Sequence, residues 1–127
     1  MNKIVVHCSD GEIIKGQTGD FAPAKNFFHL NKVGSGDIQK IDIANLKAVY
    51  FVQSLDGDSA FNEKDDVDRS GFGRKVQVEF NDGEIQIGYT QGYSPNRPGF
   101  FVIPCDPDSN NLRIFVITAA TKNVQFV

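Results

Sequence analysis

The sequence predicts an all-β protein made of two tandem five-stranded small β-barrels, and three observations favour this fold class. The apolar residues are mostly Val, Ile and Phe, with 11 Phe, a single Met and no Trp among 127 residues. Such side chains suit half-buried strands. Apolar and polar residues alternate with a period of two along several short segments. The two ends of the chain also carry the same pattern twice, which indicates a duplicated unit.

The repeat is visible as a series of matches with a nearly constant offset. Seven matches share the offset 72, from Asp10, Gly11, Glu12, Ile13, Gly16, Thr18 and Pro23 to Asp82, Gly83, Glu84, Ile85, Gly88, Thr90 and Pro95. The offset becomes 73 where 27–28 is matched with 100–101, and 75 where 46–52 is matched with 121–127. Small drift confined to loops is typical of an internal duplication. We expect one barrel at 1–52, a connector at 53–73 and a second barrel at 74–127.

The first two strands of each copy form a predicted hairpin. Inward positions alternate along the first strand, at Ile4, Val6 and Cys8 in one copy and at Val76, Val78 and Phe80 in the other. The second strand covers 13–18 and 85–90, and an Asp-Gly turn precedes it in both copies. Glycines at 16 and 88 lie inside that strand, where they predict a sharp bend or a bulge.

Three further short strands complete each unit. The third covers 27–33 and 100–104, the fourth 38–43 and 113–118, and the fifth 48–52 and 123–127. Five strands within about 50 residues predict a small, strongly bent barrel that buries little surface alone. Two such barrels packed together are expected to be more stable than one.

The connector between the units is acidic. It carries six acidic residues, two of them Asp56 and Asp58, against Lys64 and Arg69, so its net charge is −4 and the rest of the chain sums to +1. A charge run of this kind predicts an exposed segment.

Charge and composition exclude several classes of protein. The net charge is −3 and the isoelectric point is about 5.2, which argues against a general nucleic-acid coat protein. No apolar run approaches the ~20 residues of a membrane span. The apolar stretch after Met1 is too short for a signal peptide. We therefore expect a cytoplasmic protein, with Cys8 and Cys105 as reduced, buried thiols, and a disulfide between them as the less favoured alternative.

Several segments resemble an uncharacterised bacterial domain family. These are Gly73–Val76, Asp82–Glu84, Gly88–Tyr93, Arg97–Phe101, Pro104–Asn111 and, in the first half, Leu46–Val52 followed by Gly57. The resemblance extends over nearly the whole chain and implies a bacterial, intracellular protein. The family has no established activity, so the resemblance implies no catalytic residues.

Each half is also more distantly similar to Sm-like small β-barrels, whose architecture is close to the SH3-like barrel. The shared features are a strand, an Asp-Gly turn, a strand with a central Gly, an aromatic strand and a closing strand. Sm-like proteins place an Asp and an RNA-contacting Asn close together, whereas here Asp20 and Asn26 are six residues apart. The counterpart of Asn26 in the second half is Gly99, and the basic turn before the last strand is missing. The resemblance implies possible RNA binding, but these departures do not favour it.

No residue pattern indicates catalysis. His7 and His29 are the only histidines, and no Cys or His spacing is typical of a zinc module. No phosphate-binding loop and no nucleophile elbow is present in the sequence. We therefore expect a protein that is not an enzyme and that has no cofactor or metal.

Two polar loops in the second half carry the candidate binding residues. Residues 94–99 and 106–113 flank the third strand of that half, at its opposite ends. Residues of these types commonly form turns, but they also suit recognition of a partner or an anionic ligand. The candidate site residues are Asn96, Arg97, Ser109, Asn110, Asn111 and Arg113.

These observations predict a non-enzymatic binding or interaction module. Its partner is expected to be an unknown protein or a second copy of the chain, with no membrane partner. An Sm-like RNA-binding protein is the first alternative. A nucleotide-responsive adaptor is the second, because Arg69 and Arg74 are weakly similar to the arginine pair of cyclic-dinucleotide receptors.

Overall fold

A computed structural model describes residues 1–57 and 61–127 of the chain, so residues 58–60 of the predicted connector lie outside the described residues. The strands are β1 (Asn2–Cys8), β2 (Ile13–Thr18), β3 (Phe27–Lys32), β4 (Ile38–Asp42), β5 (Leu46–Val52), β6 (Arg74–Phe80), β7 (Ile85–Thr90), β8 (Gly99–Pro104), β9 (Asn111–Ile117) and β10 (Thr121–Phe126). Short 3-10 turns are η1 (Ile43–Asn45), η2 (Ser70–Phe72) and η3 (Thr118–Ala120). The predicted all-β class is confirmed.

The ten strands form one antiparallel sheet in the order β10-β6-β7-β8-β9-β5-β1-β2-β3-β4. The finer prediction of two tandem barrels is not confirmed, because the sheet is open and continuous across the two halves. The physical reason is that β5, the last strand of the first half, pairs with β9 of the second half. This pairing satisfies backbone groups that would otherwise form a free edge in the middle of the molecule.

Both predicted hairpins form around their Asp-Gly turns. Gly11 and Gly83 have φ values of 96° and 92°, a region that side-chain-bearing residues rarely adopt. The carboxylate of Asp10 accepts the backbone N–H of Glu12 at 2.9 Å, and Asp82 does the same for Glu84 at 3.0 Å. The turn residues therefore fix the same local geometry twice.

The strand pairing in the structure changes how the third strands of the two halves match in sequence. Phe28 pairs with Ile41 in the first half, and Phe100 pairs with Val116 in the second. Phe28 therefore corresponds to Phe100 at the offset 72, and the expected change to 73 at this point is wrong. Burial explains the difference, because Phe28 and Phe100 are both core residues and only this matching keeps both side chains inside.

Two hydrophobic cores share the central strands β5 and β9. Val49 and Phe51 of β5 pack into the core of the first half, whereas Tyr50 packs into the core of the second. Strand β9 alternates in the same way, with Phe115 in the first core and Ile114 in the second. Since successive strand residues point to opposite faces, each central strand supplies both cores.

The described part of the predicted connector is anchored to the second half. The backbone N–H of Lys64 donates to the carboxylate of Asp106 at 3.0 Å, and Arg69 donates to the carbonyl oxygen of Pro104 at 2.9 Å. The Tyr89 hydroxyl donates to the carbonyl oxygen of Val67 at 3.3 Å. These contacts hold the connector against the ends of β7 and β8.

Cys8 and Cys105 are both free thiols, the first partly buried and the second buried. Within 1–57 and 61–127, there is no helix of the length and apolar character that crossing a bilayer requires.

Candidate functional site

The six candidate residues lie in two separate places at opposite ends of β8. Asn96 and Arg97 belong to the loop before this strand, and the other four follow it. The structure therefore does not bring the candidate set together into one site.

The candidates after β8 are occupied by structural contacts. Ser109 is buried, its hydroxyl donates to the carboxylate of Glu63, and it accepts the backbone N–H of Asn111 at 3.0 Å. The amide of Asn110 both accepts from the backbone N–H of Ser54 and donates to its carbonyl oxygen, each at 2.9 Å. These side chains fasten β9 to the connector, which is a different role from ligand recognition.

Arg113 is also used inside the molecule. Its guanidinium carbon lies 4.4 Å from the ring centroid of Phe51 and 4.5 Å from that of Phe101. Phe51 is its direct partner across the β5–β9 pair. A planar cation over aromatic rings stabilises this junction, so Arg113 belongs to the packing of the two halves.

Asn96 and Arg97, in contrast, are exposed at the mouth of a groove. A turn positions them, because the backbone N–H of Arg97 donates to the carbonyl oxygen of Ser94 at 3.1 Å and that of Asn96 to the Ser94 hydroxyl at 3.3 Å. Among the described residues, neither side chain takes part in a hydrogen bond.

The groove lies where the two halves meet and has a volume of about 870 Å³. We call it the seam groove. Its lining residues are Asn26, Asp42, Ile43, Ala44, Asn45, Pro95, Asn96, Arg97, Pro98, Ile117, Thr118 and Ala119. Three of them are asparagines, one is an arginine, and more than half of the others are apolar.

Residues of the turns η1 and η3 line the seam groove, and each turn is tied to a loop by one backbone hydrogen bond. The N–H of Ile43 donates to the carbonyl oxygen of Asn26, and the N–H of Thr118 to that of Pro98, both at 2.9 Å. These matched bonds make Pro98, and not Gly99, the counterpart of Asn26. The seam groove is thus built from equivalent elements of both halves.

Thr118 lines the seam groove, but its hydroxyl oxygen is buried. The Thr118 hydroxyl oxygen is the one buried side-chain N or O atom, among the residues described, that has no hydrogen-bond partner. Buried hydroxyls are nearly always paired with protein or with water. The oxygen itself is buried, so it is not part of the groove surface that a ligand would meet.

Sequence reasoning missed Asn45 and Thr118 as site residues. They belong to short turns before the last strand of each half, which carry no polar cluster in the sequence. Only the pairing of β5 with β9, which brings the two halves together, makes one groove of them.

A second cavity of about 440 Å³ lies beside His7, Tyr50 and Glu84. Desolvation lowers the pKa of His7, and burial together with Glu84 raises the pKa of Tyr50. Both groups are thus neutral near pH 7. Lys47 donates to the carboxylates of Asp82 at 2.8 Å and Glu84 at 3.0 Å, so these acids are paired rather than available as bases.

The Cys8 thiol lies near two carboxylates of the turn between β1 and β2. Its sulfur and the carboxylate oxygens of Asp10 and Glu12 are within 4.8 Å of one another. Burial and then the two acidic neighbours raise the pKa of Cys8. The thiol is therefore protonated near neutral pH, which disfavours both nucleophilic attack and metal binding.

Arg69 and Arg74, on which the nucleotide-responsive alternative is based, contact different aromatic rings. Arg69 stacks over Phe72 and Arg74 over Phe126, at 4.6 Å and 4.1 Å from the ring centroids. They do not form one anion-binding pair, so this alternative loses the observation on which it rested.

Comparison with known proteins gives a match at the family level only. The model of a family of unknown function (DUF6982) matches residues 1–127. No curated protein and no solved structure shows a significant match.

Proposed function

Because the chain belongs to a family of unknown function (DUF6982), we propose its role from its own geometry: it is a non-enzymatic binding module that holds an extended segment of a protein partner in the seam groove. The observation that carries this proposal is the lining of the seam groove, in which three asparagines and Arg97 stand among mostly apolar side chains. Exposed Asn96 and Arg97 stand at the rim of the same groove.

The lining chemistry suits a peptide. Asparagine side chains both donate and accept, so Asn26, Asn45 and Asn96 match the alternating N–H and C=O groups of an extended backbone. Apolar walls at Pro98 and Ile117 suit small or aliphatic side chains. Arg97 adds a fork of donors for a carboxylate of the partner.

The absence of enzyme activity is part of the proposal. Asp42 and Arg97 are the charged members of the described groove lining, which contains no His, Cys, Lys or Tyr. General acid-base or nucleophilic catalysis needs such groups within reach of one another. The lining supports binding, and it offers no pair of groups to move a proton.

A single-stranded RNA is the second candidate ligand, and Asn26 favours it. This asparagine lies in the loop after β2, and its side chain lines the seam groove. Amide groups can read base edges as well as peptide groups. The net charge of −3 and the single arginine of the groove weigh against this candidate.

The prediction of two duplicated small barrels is also part of this proposal. We interpret each half as a bent five-stranded unit of the SH3-like or Sm-like kind that arose by duplication, in a bacterial cytoplasmic protein. The equivalent strand orders β5-β1-β2-β3-β4 and β10-β6-β7-β8-β9 support the duplication. Two free thiols support a reducing compartment.

Selection from a library of short random peptides tests the proposal. We expect enrichment of peptides on the wild-type chain and at least about tenfold weaker binding to Arg97→Glu, since a charge-assisted hydrogen bond contributes about 1.5–3 kcal/mol. Fluorescence anisotropy of the enriched peptide gives the affinities. Labelled oligouridylate and oligoadenylate are measured in parallel.

The matched control is Lys25→Glu, which makes the same charge change at an exposed position outside the groove lining. It is expected to bind like the wild type. Equal weakening by both substitutions, or no enriched peptide at all, would contradict the proposal. Tight, salt-sensitive binding of the oligonucleotides instead would favour RNA.

A further inference from the structure

The junction between the two halves is an edge-to-edge strand pair. Strand β5 is the last strand of the first half, and β9 is the fourth strand of the second half. They pair antiparallel, with Ala48 opposite Val116 and Tyr50 opposite Ile114. The junction therefore joins a fifth-strand edge to a fourth-strand edge.

Among residues 1–57 and 61–127, the equivalent edges at the two ends of the sheet have no such partner. Strand β10 is the last strand of the second half and β4 is the fourth strand of the first, and each has a single neighbour in the strand order. Unpaired strand edges are templates for another strand. We propose that β10 of one copy of this chain pairs with β4 of the next copy, in the geometry that β5 and β9 adopt within one chain.

The internal junction predicts the register of the proposed contact. The turn before β5 begins at Ile43 and the turn before β10 at Thr118, which is an offset of 75 (118 minus 43). The same offset relates β4 to β9. In the internal junction, Ala48 lies opposite Val116 and Phe51 lies opposite Arg113. Adding 75 to the β5 residue and subtracting 75 from the β9 residue of each pair places Asn123 opposite Ile41 and Phe126 opposite Ile38.

Apolar surface at both edges agrees with this register. Ile38 is 70% exposed and Phe126 is 37% exposed, so both edge strands present a large apolar side chain to solvent. Directly opposed residues of an antiparallel pair lie on one face, so each of these two side chains would cover the other. The contact removes both from water.

The charged residues support the same register independently. At the internal junction, Lys47 of β5 bonds Asp82 and Glu84 in the turn between β6 and β7. Moving Lys47 by 75 gives Lys122, which is exposed, and moving the two acids by 72 gives Asp10 and Glu12, which are exposed as well. Among the described residues these groups form no ion pair, so the lysine of one edge matches the acids of the other.

A cavity marks the place where the incoming strand would lie. It has a volume of about 390 Å³ and is lined by Asp10 and Glu12 of the β1–β2 turn and by Gln39–Asp42 of β4. The corresponding place in the second half is filled by β5. Because the contact joins two different edges, each bound copy still offers one free edge, so the assembly grows head to tail into a closed ring or an open chain.

Sedimentation velocity over a concentration series tests the proposal, which does not depend on the seam groove having a ligand. The wild-type chain is expected to form species larger than a monomer as its concentration rises. Lys122→Glu and Glu12→Lys are each expected to weaken association by about tenfold or more, because each places like charges together. The chain that carries both substitutions restores the opposite-charge pair and is expected to associate like the wild type.

A mixture of the variants and a control variant distinguish the proposed contact from other modes of association. Mixing the two single variants is expected to restore association into alternating assemblies, since both possible edge contacts between unlike copies bring opposite charges together. Lys25→Glu serves as the charge-matched control and is expected to associate normally. The proposal is overturned by a wild type that stays monomeric throughout, by association that Lys122→Glu leaves unchanged, or by a double variant that fails to regain what the single variants lose.

Discussion

Among the individual residues, Asp20 shows how a surface carboxylate can order a loop. It lies just after β2 and accepts the backbone N–H of His29 at 2.9 Å, while its second oxygen lies 2.7 Å from the imidazole of the same residue. The Thr18 hydroxyl donates to it at 3.2 Å. These bonds tie the end of β2 to the start of β3, next to the loop that supplies Asn26 to the seam groove.

The Asp20 contacts predict a pH-dependent contribution to stability. Hydrogen bonding from His29 lowers the pKa of Asp20 from 3.8 to about 2 in the folded chain. A carboxyl whose folded pKa is depressed stabilises the fold above its unfolded pKa, and this contribution is lost as the pH falls through the folded value. Asp20→Ala is therefore expected to melt below the wild type at pH 7, with a gap that narrows between about pH 4 and pH 2.

Thermal melts followed by circular dichroism across that pH range measure the gap. Because the pair is solvent-exposed, we expect a modest difference that shrinks further at high salt. A gap that stayed constant down to pH 2 would show that the carboxylate charge contributes nothing. Asp37→Ala, in a turn of the same half, serves as the comparison.

For the strands, the decisive feature is the glycine inside β2 and β7. A Cβ atom built at Gly88 would lie 2.4 Å from the carbonyl oxygen of Ile103, and one at Gly16 would lie 2.1 Å from that of Asn31. Strands β7 and β8 share only two residue pairs at this point. The glycine therefore lets one strand cross close over the next, which bends the sheet.

We expect Gly88→Ala to destabilise the protein by about 1–3 kcal/mol, because the added methyl group has no space between two backbones. Urea denaturation gives the free energy of unfolding. Gly71→Ala is the control, since a Cβ there meets nothing within 4 Å, and it is expected to stay within about 0.5 kcal/mol of the wild type. Similar losses in the two variants would refute the steric explanation.

The strands and their hairpins could be predicted from local sequence, whereas the candidate site could not. The alternation in β1 and β6 and the Asp-Gly turns depend on neighbouring residues, and the structure has both. The site depends on which edges meet. No local pattern shows that β5 pairs with β9, and that pairing takes Arg113 into the packing and places Asn45 beside Thr118 in one groove.

The whole molecule is held together by the shared strands, and this predicts how it unfolds. Phe51 and Tyr50 are neighbours in β5, yet they belong to different cores. Loss of either core would expose to water the face of β5 that packs into that core. We therefore expect one cooperative transition for both halves rather than two.

A reporter in each half can test this, because the chain has no Trp. Phe27→Trp reports on the first half, and Tyr93→Trp, beside Phe100, reports on the second. Val78 is fully buried in the second core, so Val78→Ala is expected to cost about 2 kcal/mol. In urea, the substitution should lower the midpoint seen by both reporters equally. If the Phe27→Trp signal kept its midpoint while the other one fell, the halves would be independent folding units, and the junction of β5 with β9 would be a weak contact that a second copy of the chain could replace.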